Sequence, residues 1–149
     1  MAQRNPGTQN EHDRVVRAWA QVLEKGLTGG CRVSTNPGTD RSAQVGSVHE
    51  PRFPDVVVWR AEAGDGRDGT AELIAEVETS DTLTEGKVVS EWTGYARVPA
   101  PFYLVVPEGF ETKAIHLLRK TPVRVSQLWS YRIEGHEIMF TPFIALPAI

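Results

Sequence analysis

The sequence predicts an α/β domain whose mixed central sheet is flanked by helices, and three observations carry that prediction. Two apolar segments of strand composition, Pro54-Asp55-Val56-Val57-Val58-Trp59 and Glu72-Leu73-Ile74-Ala75-Glu76-Val77-Glu78, lie on either side of a Gly- and Asp-rich gap from Ala61 to Thr70. Such gap residues make turns and do not extend strands, so the pair reads as a β-hairpin. A segment of helical period carrying Val88, Trp92 and Tyr95 or Ala96 follows. Phe102-Tyr103-Leu104-Val105-Val106 then runs apolar without alternation, as a central strand covered on both faces does. A hairpin, a helix and a buried strand in that order imply a sheet that is antiparallel at first and is then continued across a helical crossover.

Each element has its own signal. Thr8-Gln9-Asn10-Glu11 fits a capping box, in which the Thr8 hydroxyl and the Glu11 carboxylate satisfy free backbone N–H groups. The helix it opens carries Val15, Trp19, Val22 and Leu23 at helical spacing and stops at Gly26. Cys31 to Thr35 is a short strand, and Asn36 to Val48, rich in Gly, Ser, Thr and Asn, is a loop or a weak second strand. After the central hairpin, Asp81 or Thr82 caps the second helix, with Glu85 three residues beyond Thr82, and Pro99 and Pro101 end it. Glu111 to Lys120 forms a third helix through Ile115 and Leu118, stopped before Pro122. Val123 to Ile133 and Ile138 to Phe143 flank Glu134-Gly135-His136 as a closing C-terminal β-hairpin.

At 149 residues the chain reads as a single domain over 1–149, long enough to bury a core without metal or disulfide support. The core is expected over about residues 11–106, with the last helix and hairpin over 107–149. Met1 to Asn10 lacks the apolar centre of a signal peptide. Prolines break the apolar stretches near Pro99 to Pro107 and Phe140 to Ile149 well short of a bilayer span. The expectation is a soluble cytoplasmic protein without membrane contact. Cys31 is the only cysteine, which excludes an intramolecular disulfide and any zinc-finger or thioredoxin pair; it reads as a small buried residue. The net charge of −3 offers no global attraction to nucleic acid or to an anionic membrane. Arg52, Arg60 and Arg67 flank the hairpin, and Arg32, Arg41, Lys87 and Arg97 are further candidates for a local basic cluster. Any one of these arginines alone reads first as a solvated surface group.

The chemistry is concentrated in the hairpin. Side chains alternate across a strand, so Ile74, Glu76 and Glu78 share one face while Leu73, Ala75, Val77 and Thr79 take the other. Two carboxylates about 4 Å apart repel by roughly 4 kcal/mol at an effective dielectric near 20. Asp55, Glu76 and Glu78 therefore share one cleft only if a cation joins them or one takes up a proton. Hard Mg²⁺ takes oxygen ligands and keeps several waters, so one or two carboxylates are a sufficient protein contribution.

Pro54-Asp55, the step to Glu76, and Glu76-Val77-Glu78 at the end of the second hairpin strand resemble the PD-(D/E)xK nuclease superfamily, the restriction-endonuclease-like fold. The predicted order of helix, three strands, helix and strand is similar to that fold's core, so the resemblance covers roughly Glu11 to Val106. It implies that Asp55 and Glu76 hold Mg²⁺, with Mn²⁺ as a substitute, that the Val77 backbone carbonyl assists, and that the last motif residue helps the attacking water. This chain departs from the pattern at that last position, where Glu78 stands in place of the usual Lys. Some restriction enzymes carry Glu there and remain active, which leaves catalysis open. In other branches of the superfamily the cation comes from the following helix. Lys87, Glu91 and Tyr95 are spaced i, i+4, i+8 along one stripe, and Glu91 with Tyr95 is similar to the Gln-x-x-x-Tyr element of RecB-like nucleases with Glu for Gln. The resemblance thus makes Lys87 a displaced cation and Glu91 and Tyr95 supporting or phosphate-positioning groups. Glu11 or Glu24 on the first helix is the candidate for the additional acidic residue that many members place there.

Other signals are set aside. Gly64 to Gly69 contains the letters GxGxxG, but a strand-like segment follows where a dinucleotide site needs a helix, so no nucleotide cofactor is implied. His136-Glu137 starts a zinc-protease motif, but Phe140 stands where its second histidine belongs. His12, His49 and His116 show no ligand spacing and read as ordinary histidines. No Gly-x-Ser-x-Gly elbow or P-loop is present. The tryptophans and Tyr103 sit in periodic apolar segments and read as core, Trp59 being the one that can share a face with Asp55. Together these readings point to a Mg²⁺-dependent nuclease hydrolysing phosphodiester bonds in DNA, acting as a homodimer where paired cuts are made. The alternative is a catalytically inactive module of the same fold serving DNA binding or protein interaction, and a third reading is an unrelated α/β protein with an apolar ligand pocket. Lys87 pointing into the Asp55 and Glu76 cleft favours the enzyme; a cleft filled by side chains, or carboxylates paired with arginine, favours the module.

Overall fold

The computed structural model describes residues 6–26, 31–36, 43–46, 50–60, 71–121 and 123–143. The expected turn 61–70 with its GxGxxG letters and Arg67, as well as Arg41, His49 and Pro122, lie outside the described residues. Helix α1, Pro6–Gly26, packs His12, Val15, Val16, Trp19 and Ala20 inward. Proline suits a first helical turn because its missing N–H has no helical partner there. The helix therefore starts before the expected capping box, and the Thr8 hydroxyl instead donates to Asp81 Oδ2 at 3.1 Å. The buried stripe centres on His12 and Trp19, which leaves Val22 at its margin and 40% exposed rather than in the core.

A six-stranded mixed sheet forms the middle layer. Strand β1, Cys31–Thr35, is its edge, and Cys31 is exposed at the start of that strand, not buried as expected. β2, Val45–Gly46, and β3, Pro51–Arg52, make a separate two-residue pairing, all that is described of the weak second strand expected there. β4, Val56–Arg60, pairs antiparallel with β1 and with β5, Ala71–Val77, which gives the expected hairpin. β6, Phe102–Pro107, lies parallel to β5 and to β7, Gln127–Glu134, and β8, Glu137–Pro142, closes the sheet antiparallel to β7. The sheet order β1-β4-β5-β6-β7-β8 places β6 centrally, as its unbroken apolar run requires. β7 begins four residues later than expected, and Val123 and Val125 fill the core from the extended segment before it.

The β5-to-β6 crossover carries a 3-10 turn, Ser80–Thr82, and then one helical segment, α2, composed of Glu85–Lys87, a π-helical stretch Val88–Trp92, and Thr93–Tyr95. The cap of α2 is Thr84, whose hydroxyl accepts the Lys87 N–H at 3.3 Å, in place of the expected Asp81 or Thr82. Those two residues are used one turn earlier, in the 3-10 turn. Helix α3, Glu111–Lys120, has the expected bounds. Two apolar layers result. Val56, Ala75, Val77, Val105 and Tyr131 pack on α1. Val57, Ile74, Leu104, Val106 and Leu128 pack with Leu83, Val88, Trp92 and Leu118 on the other face. Trp59 joins this second layer, its Nε1–H donating to Ser34 Oγ at 3.1 Å. Among the described residues, no helix is long and apolar enough to cross a membrane.

The two most deeply buried tryptophans differ in one respect. Trp19, tilted against Trp129 and Phe140 with ring centroids 5.0 Å apart, has no hydrogen-bond partner for Nε1 among the described residues. Trp92 donates its Nε1–H to Glu78 Oε2 at 2.9 Å. Removing one partner of a buried bond leaves the other to bear its desolvation. Trp92→Phe is therefore expected to cost about 1–3 kcal/mol more than Trp19→Phe, as read by urea unfolding at neutral pH; equal losses would show that the Glu78 bond adds nothing.

Candidate active site

The site begins at the junction of β4 and β5. Val56 pairs with Ala75, so the residue before β4, Asp55, arrives beside Glu76. Each strand end then binds the other's carboxylate: the Asp55 N–H donates to Glu76 Oε1 at 3.1 Å, and the Val77 N–H donates to Asp55 Oδ2 at 2.8 Å. Both side chains are buried. Val77 thus enters the described hydrogen bonding through its N–H.

From α1, His12 reaches the same carboxylate, with Nε2 3.0 Å from Asp55 Oδ2. Its Nδ1 lies 3.1 Å from Asp13 Oδ1, an oxygen that also accepts from Gln9 Nε2 at 2.9 Å. Only the imidazolium carries a proton on both nitrogens, so two flanking carboxylates are satisfied together by the charged ring. His12 is the group that sequence reasoning passed over as ordinary. A signal was available: His12 precedes Val15, Val16 and Trp19 by three, four and seven residues, the spacing of the buried helix face.

From α2, Lys87 turns into the cluster. Its Nζ lies 3.6 Å from Glu76 Oε2 and 3.7 Å from Glu78 Oε1, and it forms an ion pair with Glu91 one turn along the helix. Glu91 Oε2 takes the Lys87 ammonium as its partner. Glu78 is fully buried, its Oε1 accepting from the Thr82 hydroxyl at 2.6 Å and its Oε2 from Trp92. With both oxygens bonded inside the protein, Glu78 anchors α2 to β5. Tyr95 donates its hydroxyl to the Phe53 carbonyl at 3.4 Å, two residues before Asp55. Glu11 stands apart from these contacts, its Oε2 accepting from the Tyr131 hydroxyl at 2.6 Å, and Glu24 is exposed.

The charges compete for too few counterions. Burial pushes the Asp55 carboxyl up, but the His12 charge and the bonds from His12 and Val77 outweigh it and hold Asp55 below the usual carboxylate range. Burial and the Asp55 charge drive Glu76 well above that range. Burial raises Glu78 to about 7 against the opposing pull of Lys87, Thr82 and Trp92. Burial alone lowers a lysine, yet Glu76, Glu78 and Glu91 reverse this and push Lys87 up. Tyr95 is pushed up by burial and by the same carboxylates, so it stays a neutral phenol. One ammonium cannot neutralise three buried carboxylates, so a proton or a second cation completes the cluster at neutral pH. Among the described residues, no three His, Cys, Asp or Glu side chains stand together as a group able to hold a metal ion. Asp55 and Glu76 offer a pair of carboxylates joined through each other's strand ends.

The chain matches no protein-family model, no curated protein and no solved structure among those with which it was compared.

Groups raised in the folded state hold their protons longer there than in the unfolded chain. The stability they contribute is present below their unfolded value of 4.5 and is lost as pH rises through their folded values. Asp55 acts oppositely, but its window lies below 3.8. In EDTA, Tm should therefore fall between about pH 5 and pH 7.5, and Glu76→Gln should flatten that slope. A wild-type Tm that rises over this interval would contradict the raised carboxyls.

Proposed function

We propose that the chain is a divalent-cation-dependent nuclease with a restriction-endonuclease-like core, hydrolysing phosphodiester bonds in DNA in the cytoplasm. The observation that carries this reading is the placement of Lys87. The motif position at the end of β5 holds Glu78, and a lysine from α2 brings its ammonium to 3.6 Å from Glu76, beside Asp55. A cation adjoining two acidic strand ends is the arrangement that phosphodiester hydrolysis needs.

The donor set fits a hard divalent ion. Asp55 and Glu76 offer oxygen ligands, and carboxylates outnumber the cations about them. Asp55 and Glu76, with the Val77 backbone carbonyl, would hold Mg²⁺ or Mn²⁺, and Mg²⁺ accepts so small a protein contribution because it retains waters. When bound, the ion supplies a Lewis acid for the phosphoryl oxygens and lowers the pKa of coordinated water. The chain's own residues do the rest. His12 fixes the orientation of Asp55, as a hydrogen-bonded partner behind a ligand does. Lys87 presents positive charge where the phosphoryl group becomes more negative, and Glu91 holds it against the helix. Tyr95 pins the Phe53 carbonyl and so the approach to Asp55. Glu78 keeps α2 at its distance through Trp92 and Thr82. A two-fold homodimer is the proposed assembly for paired cuts.

A second reading, a module of the same shape without catalysis, is favoured by one observation: Glu78 is closed to solvent and Lys87 is surrounded by carboxylates, so the cluster is partly self-neutralised. Calorimetric titration with Mg²⁺ and Mn²⁺, run beside cleavage of plasmid and single-stranded DNA, separates the two. Asp55→Asn and Glu76→Gln are expected to lose metal binding and cleavage together. Lys87→Gln should retain the metal and lose about 10²–10³-fold in rate, the order found for one preorganised electrostatic group. A wild type that binds no metal with DNA present and cuts neither substrate would overturn the nuclease reading.

A further inference from the structure

Arg52 leads along the chain into Asp55 and β4. It lies on β3, three residues before Asp55, and is partly exposed. Among the described residues its guanidinium makes no hydrogen bond or ion pair. Its position is nevertheless closely defined. A Cβ placed on Gly94 would come within 2.5 Å of Arg52 Cζ and Nε and 2.7 Å of Nη2, so the guanidinium lies flat against the bare Cα of that glycine. Gly94 sits inside α2 with no positive φ, so the backbone does not call for glycine there. Glycine is among the poorest helix formers. A side chain at this position would push the Arg52 guanidinium aside, which gives the glycine its reason. Gly94 also continues the stripe of Lys87 and Glu91 and adjoins Tyr95, whose hydroxyl binds the carbonyl of Phe53, the residue after Arg52.

We infer that Arg52 is the residue that grips a backbone phosphate of the nucleic acid beside the Asp55 and Glu76 pair. This rests on the nuclease reading for its substrate. A guanidinium is a planar fork that meets two phosphate oxygens at once, and a fork already held against a flat surface loses little freedom on doing so. The arrangement separates two tasks. Asp55, Glu76 and Lys87 face the reacting group, and Arg52 sets the register of the strand on the helix. The glycine makes the proposal testable without touching a charge: Gly94→Ala leaves every carboxylate and Arg52 itself in place, yet drives the guanidinium off its seat.

The test measures cleavage kinetics with Mg²⁺ and the salt dependence of binding to a short duplex DNA by anisotropy. It compares wild type, Arg52→Ala, Arg52→Lys and Gly94→Ala, with melting curves alongside. Arg52→Ala is expected to raise KM and weaken binding roughly tenfold or more, as loss of one charged contact does, and to lower the salt slope by about one. Gly94→Ala should show the same loss of affinity with an unchanged or higher Tm. Arg52→Lys should restore the salt slope but only part of the affinity, because a point charge lacks the fork. A wild type that cuts DNA with KM and salt slope unchanged in Arg52→Ala overturns the Arg52 assignment alone. A wild type that cuts nothing, but whose binding loses one unit of salt slope in Arg52→Ala, supports the phosphate contact and overturns the nuclease reading. A wild type that neither binds nor cuts overturns both.

Discussion

Burial of more negative charge than nearby cations can neutralise is the constraint on which this structure depends. Glu76, Glu78 and Glu91 converge on one ammonium, and Asp55 beside them is held by His12. Taking ions out of water costs several kcal/mol each even after relaxation, and such a cluster persists only where hydrogen bonds reach the remaining lone pairs. Those bonds come from all three layers. Val77 and the Asp55 backbone supply them from the sheet, His12 from α1, and Thr82 and Trp92 from the crossover. Each layer of the fold is thereby tied to the same few oxygens.

The π stretch of α2 follows from that constraint. In a regular α-helix, five residues overshoot one turn by about 140°, so Lys87 and Trp92 would face different sides. A π turn closes its hydrogen bonds over five residues, here from the Thr93 N–H to the Val88 carbonyl, and brings positions five apart close to one line. Lys87 and Trp92 can then both address the carboxylates of β5 while Lys87 keeps its i,i+4 pair with Glu91. Such irregular turns occur often at functional sites, where local geometry yields to the side chains it must aim.

Alternation along β5 was legible from the residues alone. Ile74, Glu76 and Glu78 do face α2, and Ala75 and Val77 face α1. The bounds of α3 and the central place of β6 were legible for the same reason, since period and apolar continuity are local properties. The approach of Lys87 was among the readings the spacing allowed, because Lys87, Glu91 and Tyr95 share a stripe in any helix. Local signals misled where a competing partner outside the cap claims the side chain, in two of the three cases from far along the chain. Thr8 is drawn to Asp81, Glu11 to Tyr131, and the cap of α2 moves to Thr84 once Thr82 is committed to Glu78.

The sequence by itself determined which residues alternate, which segments are apolar throughout and where helices stop, since these follow from the chemistry of neighbours along the chain. Only the tertiary structure decided that His12 is a partner of Asp55, that Glu78 is an anchor between Thr82 and Trp92, and that Gly94 is a seat for Arg52. Those outcomes turn on contacts between residues 4 to 43 positions apart, most of them far beyond one helical turn. The physical reason is that a buried charge takes whichever donor the packed layers bring within about 3 Å, and that distance is set by the packing of whole elements on the sheet.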